Sequence, residues 1–150
     1  MSAHYFEDLA VGDRLAAGPY RVAREEMLAF AQSYDPRPVH LDDAAGAASD
    51  FGGLVASGIY TLAVWNRLRF EAEAGLSQIA GLGLEEVRYS APVRAGDRLD
   101  LAAECTAKRP SASRADRGIM AFQHRLLNQH GQLAMTAVVN LLVSRRPARS

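Results

Sequence analysis

The chain has 150 residues, 49% of them apolar, with 17 basic and 17 acidic side chains and a formal net charge of zero. That balance belongs to a folded soluble domain and excludes a general nucleic-acid binder, which would show an excess of basic side chains in blocks. No apolar run approaches the ~20 residues of a membrane helix, and the opening MSAHYFEDLAVGD lacks the apolar core of a secretory signal. The length predicts one domain over 1–150, burying roughly 68–70% of its unfolded surface without covalent staples. The lone Cys105 excludes an intrachain disulfide and suits a reducing compartment. Of the 17 basic residues only Lys108 is lysine, and the arginines are scattered. The expectation is a cytoplasmic enzyme or small-molecule binder.

Val11 to Val22, punctuated by Gly12-Asp13 and Gly18-Pro19, predicts one or two short strands. In AREEMLAFAQSYD the apolar residues Met27, Leu28, Phe30 and Ala31 fall at helical spacing, and Glu25 and Glu26 suit the positive end of a helix. That helix stops near Tyr34, because Asp35 precedes Pro36 and pre-proline residues avoid the helical region. A long connection follows, with one short helix expected around Asp42 to Ala48. Ser57 caps the longest predicted helix, which runs to about Ala74 before Gly75. Its first half, Ile59 to Trp65, is apolar nearly all round, which predicts a helix wrapped by other structure. After Gly83 four segments read as strands separated by short turns: LEEVRYSAPV, DRLDLAAECTAK, GIMAFQHRLLNQ and QLAMTAVVNLLVSR. The spacing predicts an antiparallel meander of an α+β fold. The last strand, apolar at Ala137, Val138, Val139, Leu141 and Leu142, is expected to be covered on both faces.

Nucleophile elbows, phosphate loops and zinc spacings are absent, so no metal and no separate cofactor is expected. The segment that draws attention is Asp35-Pro36-Arg37-Pro38-Val39-His40. Two prolines restrain a short stretch carrying a carboxylate and an imidazole, so little entropy is lost in holding both still. Such a pair serves reactions that remove one proton and deliver another near neutral pH. An Asp and a His at this spacing are also common as cap and turn residues.

The run SYDPRPVHLDDAAGAASDFGGLVASGIYT resembles the signature of MaoC-like dehydratases, the (R)-specific enoyl-CoA hydratase family. The family pattern is aspartate, any residue, usually an amide, proline, an aliphatic or aromatic residue, and histidine; Asp35, Pro38, Val39 and His40 match it. FGGLVASG, YFEDLAVGDRL, APVRAGDRL and NQHGQLA agree as well, so the resemblance spans residues 5 to 146. It implies a hot-dog fold, in which an antiparallel sheet wraps a long central helix. It further implies Asp35 and His40 as catalytic residues, Gly58 as donor to the thioester oxygen, and Ser57, Asn66 and Arg37 as substrate-contacting neighbours. The implied reaction is reversible hydration of a 2-enoyl-CoA to an (R)-3-hydroxyacyl-CoA in fatty-acid metabolism, by a homodimer or larger homo-oligomer. Coenzyme A enters only as part of the substrate. A glycine opening a helix suits the oxyanion role, since prealigned N–H groups are worth about 2.7–4 kcal/mol to a developing negative charge.

Two positions depart from the pattern. Arg37 replaces the usual amide, and Asn66 stands where many members carry a small hydroxyl residue. The arginine either depresses the Asp35 carboxyl or points outward to a coenzyme A phosphate. The basic stretch 108–117 is a second phosphate candidate, or a solvated hairpin tip. A hot-dog thioesterase, which releases free thiol, and a non-catalytic acyl-CoA-binding subunit, which binds without turnover, are the alternative functions.

Overall fold

The computed structural model describes residues 3–149. After a 3-10 turn at Phe6–Asp8, the elements are β1 (Arg14–Arg21), α1 (Arg24–Tyr34), α2 (Pro38–Leu41), α3 (Asp43–Ala48), α4 (Gly58–Ala72), β2 (Gln78–Tyr89), β3 (Arg98–Pro110), β4 (Arg117–Leu127) and β5 (Leu133–Ser144). The five strands form one antiparallel sheet in the order β1-β3-β4-β5-β2. Only β3, β4 and β5 make a meander. The expectation that the strand after Gly83 would pair with the next in sequence is corrected: β2 adds to β5 at one edge and β1 to β3 at the other.

Alternation along the strands builds the core. Leu99, Leu101, Ala103 and Cys105 of β3, Met120, Phe122 and Leu126 of β4, and Met135, Val139 and Leu141 of β5 all turn to one face and are buried there. Onto that face α4 lays Tyr60, Thr61, Val64, Trp65 and Leu68. Full burial of each large apolar side chain contributes about 1.5–3 kcal/mol, so the helix is held by packing rather than by propensity. Glu26 ties α1 to α4 by accepting from the Tyr60 hydroxyl at 2.8 Å, beside the edge-on Phe30–Tyr60 pair.

Two burial expectations are corrected. The apolar first half of the central helix is not wrapped all round: Ile59 lies 51% exposed, because a single sheet covers only one side of a rod. Likewise β5 is fully covered on one face only, with Val138, Asn140 and Leu142 half-buried on the other. Outside β5, the edge strand β2 is almost wholly exposed, including Ile79, Leu82 and Leu84.

One histidine belongs to the core. His124 of β4 is buried, accepts the Trp65 indole N–H on Nδ1 at 3.1 Å, and leaves Nε2 without a partner. Burial, reinforced by the nearby Arg69 cation, pulls this imidazole down to about 4. The folded state therefore binds this proton less readily than the unfolded chain, whose imidazole titrates near 6.5. Stability should fall as pH drops from about 6.5 to about 4, by about 3 kcal/mol in all, and be flat above pH 7 in this respect. Urea unfolding at pH 7.5, 6 and 5 checks this; a midpoint that stays constant or rises on acidification contradicts it.

Candidate functional site

The last turn of α1 delivers Tyr34 and then Asp35, whose backbone leaves the helix as Pro36 requires. Asp35 is buried at 6% exposure. Pro38 opens α2 at its first turn, where its missing N–H costs nothing. His40 therefore sits on a short helix rather than in the open loop expected from the sequence. The two side chains turn toward each other, with His40 Nε2 3.5 Å from Asp35 Oδ2. On the other side of the ring, His40 Nδ1 lies 2.8 Å from the Val55 carbonyl. That carbonyl is held in place because Val55 N–H donates to Val39 and Ala56 N–H to Val93. With Nδ1–H donating to Val55, Nε2 is the ring atom available for proton exchange.

Ser57 is completely buried and acts twice. Its hydroxyl donates to Asp35 Oδ2 at 2.6 Å and accepts from the Ile59 N–H at 3.2 Å, capping α4. Arg37 donates to the other oxygen, Oδ1. The Ser57 hydrogen bond first, then Arg37 and the facing His40, hold the Asp35 carboxyl below the usual carboxylate range, against the opposing effect of burial. Asp35 is thus an anion near neutral pH.

A cavity of about 380 Å³ opens beside this cluster, lined by His40, Phe51, Gly58, Thr61, Tyr89, Ser90 and Val93. Its volume falls within the range of small-molecule sites. Gly58 is the first residue of α4, where backbone N–H groups have no intrahelical acceptor and the positive end of the helix dipole faces out. A Cβ here would stand 3.1 Å from the Tyr89 ring, so the glycine keeps the passage between helix and ring open. The arrangement brings an imidazole whose Nε2 faces a carboxylate, together with a helix-terminal N–H, to one apolar cavity. A depression of about 400 Å³ on the opposite face of the sheet, around Leu82, Lys108 and Asn140, contains neither a histidine nor a hydroxyl group.

Of the residues expected at the site, Asp35, His40 and Gly58 come together. Of the expected substrate contacts, Ser57 and Asn66 stand away from the cavity lining. Ser57 faces Asp35 rather than the cavity. Asn66 is exposed on α4 and does not line the cavity, because eight residues along the helix carry it more than two turns from Gly58. Arg37 is bound to Asp35. Within the stretch 108–117, Lys108 donates to the carbonyls of Phe6 and Leu9, both at 2.6 Å, and Arg114 and Arg117 pair with Asp116. Lys108 is therefore an anchor for the N-terminal turn. Sequence reasoning missed Tyr89 and Ser90, whose place at the cavity follows from β2 ending beside Gly58; no local signal marks it.

Residues 9–119 match the family model of the MaoC like domain. The chain belongs to the MaoC-like domain family. A MaoC-like dehydratase from Rhodospirillum rubrum superposes with a TM-score of 0.89 at 40% identity, covering 97% of this chain and all of that one. The (R)-hydratase from A. caviae, described as involved in PHA biosynthesis, gives 0.74 at 28% identity, covering 94% of this chain and 99% of its own. In sequence, the Bacillus subtilis protein YdeM, itself uncharacterized, is 26% identical over 140 residues, 93% of this chain and 98% of its own length. The five-stranded antiparallel sheet carrying a long helix is the hot-dog architecture of these MaoC neighbours. Among the described residues no helix is long and apolar enough to cross a membrane, and no group of three ligating side chains gathers.

Proposed function

We propose that this MaoC-like protein reversibly adds water across the 2,3 double bond of an enoyl thioester, with coenzyme A as the carrier, giving a 3-hydroxyacyl thioester of R configuration. The observation that carries the reading is the Asp35–His40 pair standing beside a cavity headed by the N-terminus of α4. The likeness to the A. caviae (R)-hydratase supports the reaction and its handedness.

The pair suits the chemistry. A water bound at His40 Nε2 loses a proton to the dyad as its oxygen bonds to C3. The π electrons move toward the thioester, whose oxygen gains negative charge. Gly58 N–H, aligned by the helix it opens, meets that charge at no cost in reorganisation. The dyad then returns a proton to C2. Apolar walls at Phe51, Val55 and Val93 exclude competing water from an acyl chain. Asp35→Asn and His40→Gln should each lower crotonyl-CoA hydration by about 10²–10⁴-fold while leaving the fold intact. The loss of enoyl thioester absorbance measures this, with circular dichroism as the check on folding. Rates within a few-fold of wild type in both variants would end the proposal, and release of free thiol would point to a thioesterase.

The working unit in this reading is a homodimer. The outer edge of β2 leaves backbone N–H and C=O groups unpaired, a pattern that invites another strand. Leu84 of β2 and Ile59 and Phe70 of α4 are exposed apolar side chains, which a second copy would cover. Tyr89, a cavity wall, stands half-exposed at the same border, so the partner would close the acyl passage. Light scattering after size exclusion should give at least twice the chain mass, and Leu84→Asp with Phe70→Glu should reduce it. A wild-type monomer at micromolar concentration contradicts the dimer.

A further inference from the structure

Both carboxylate oxygens of Asp35 are engaged. Oδ2 takes the Ser57 hydroxyl at 2.6 Å and faces His40 Nε2 at 3.5 Å, while Oδ1 takes Arg37. Asp35 does not line the cavity; His40 does. Arg37 is held in this posture by its neighbours. Between two prolines its backbone is extended (φ −74°, ψ 141°), and its N–H donates to the Asp35 carbonyl at 2.8 Å, which folds the guanidinium back over the carboxylate two residues earlier. The Arg37 side chain is 73% exposed and that of Asp35 only 7%, so the cation closes the solvent side of a buried anion.

We infer that Arg37 is a positioning residue which locks Asp35 as a fixed anion, so that His40 Nε2 alone makes both proton transfers of the reaction. This rests on the hydration proposed above and divides the work of its dyad. Water gives a proton to Nε2 as its oxygen bonds to C3, and the C2=C3 π pair becomes the enolate. The same Nε2 proton then goes to C2, and the enolate pair becomes the new C–H bond. Asp35 begins and ends ionised, and its charge steadies the imidazolium that forms between the two steps. The charged and polar groups facing Asp35 are Arg37, His40 and Ser57. No other side chain forms a hydrogen bond or ion pair with it among the described residues.

The test is the pH profile of crotonyl-CoA hydration by the full-length Arg37→Gln and Arg37→Lys variants, read beside carbon-13 NMR titration of the Asp35 carboxyl, assigned with Asp35→Asn. Removing the cation should move the acid limb of kcat/KM and the carboxyl titration together to higher pH. Each unit of movement costs about tenfold in rate below both limbs. Arg37→Lys should bring both back toward wild type, and the high-pH plateau of Arg37→Gln should not exceed wild type. A plateau above wild type overturns the inference, because it identifies Asp35 as a proton-accepting base that Arg37 restrains. A uniform loss at every pH, with limb and titration unmoved, overturns it by making Arg37 merely structural. If the wild-type protein hydrates no enoyl thioester, the reaction itself falls, while the carboxyl titration still decides whether Arg37 locks Asp35.

Discussion

One hydrogen bond organises the site: the Ser57 hydroxyl to the buried Asp35 carboxylate. It joins the end of α1 to the head of α4, two elements otherwise tied through Glu26, Tyr60 and Phe30. A buried carboxylate without donors would be protonated or exposed. With Ser57 on one oxygen and Arg37 on the other it stays charged and still, and a fixed charge is what an imidazole needs beside it to hold one orientation. The same serine caps α4, so the position of the carboxylate and the aim of the Gly58 N–H are set by a single side chain.

This coupling explains why the site lies where it does. The sheet supplies a floor of alternating apolar residues, α4 lies across it, and only the helix N-terminus reaches the cavity. Edge strand β2 ends there with Tyr89 and Ser90, giving the cavity a wall that belongs to the least covered part of the molecule. A buried histidine elsewhere, His124, shows the contrast. Lacking any carboxylate partner and sealed against Trp65, it is a neutral part of the packing, whereas His40 meets both a carboxylate and open space.

Much of this was legible in the chain. Helix periodicity, the Ser57 cap and the Pro36 stop locate α1 and α4 within a residue or two, and D-x-x-P-x-H locates the pair. Sheet order was not legible, because the meander signal in β3 to β5 says nothing of where β1 and β2 attach, and those contacts are long-range. Burial of α4 was overread, since an apolar helix looks the same in sequence whether its second face meets its own sheet or lies bare. Asn66 was misplaced by counting along a helix without knowing which turn borders the cavity. Arg37 was read correctly as near the carboxylate, but its direction depended on the extended backbone between two prolines, which only coordinates show.

The most direct measurement is the response of the four histidine rings and the backbone amides to a saturated acyl-CoA, butyryl-CoA, followed by nitrogen-15 NMR. The account predicts that His40 and the Gly58 amide shift with saturable dependence on ligand, while His124 does not move. Shifts gathered instead on the outer sheet face around Lys108 and Asn140, with His40 and Gly58 silent, would contradict it.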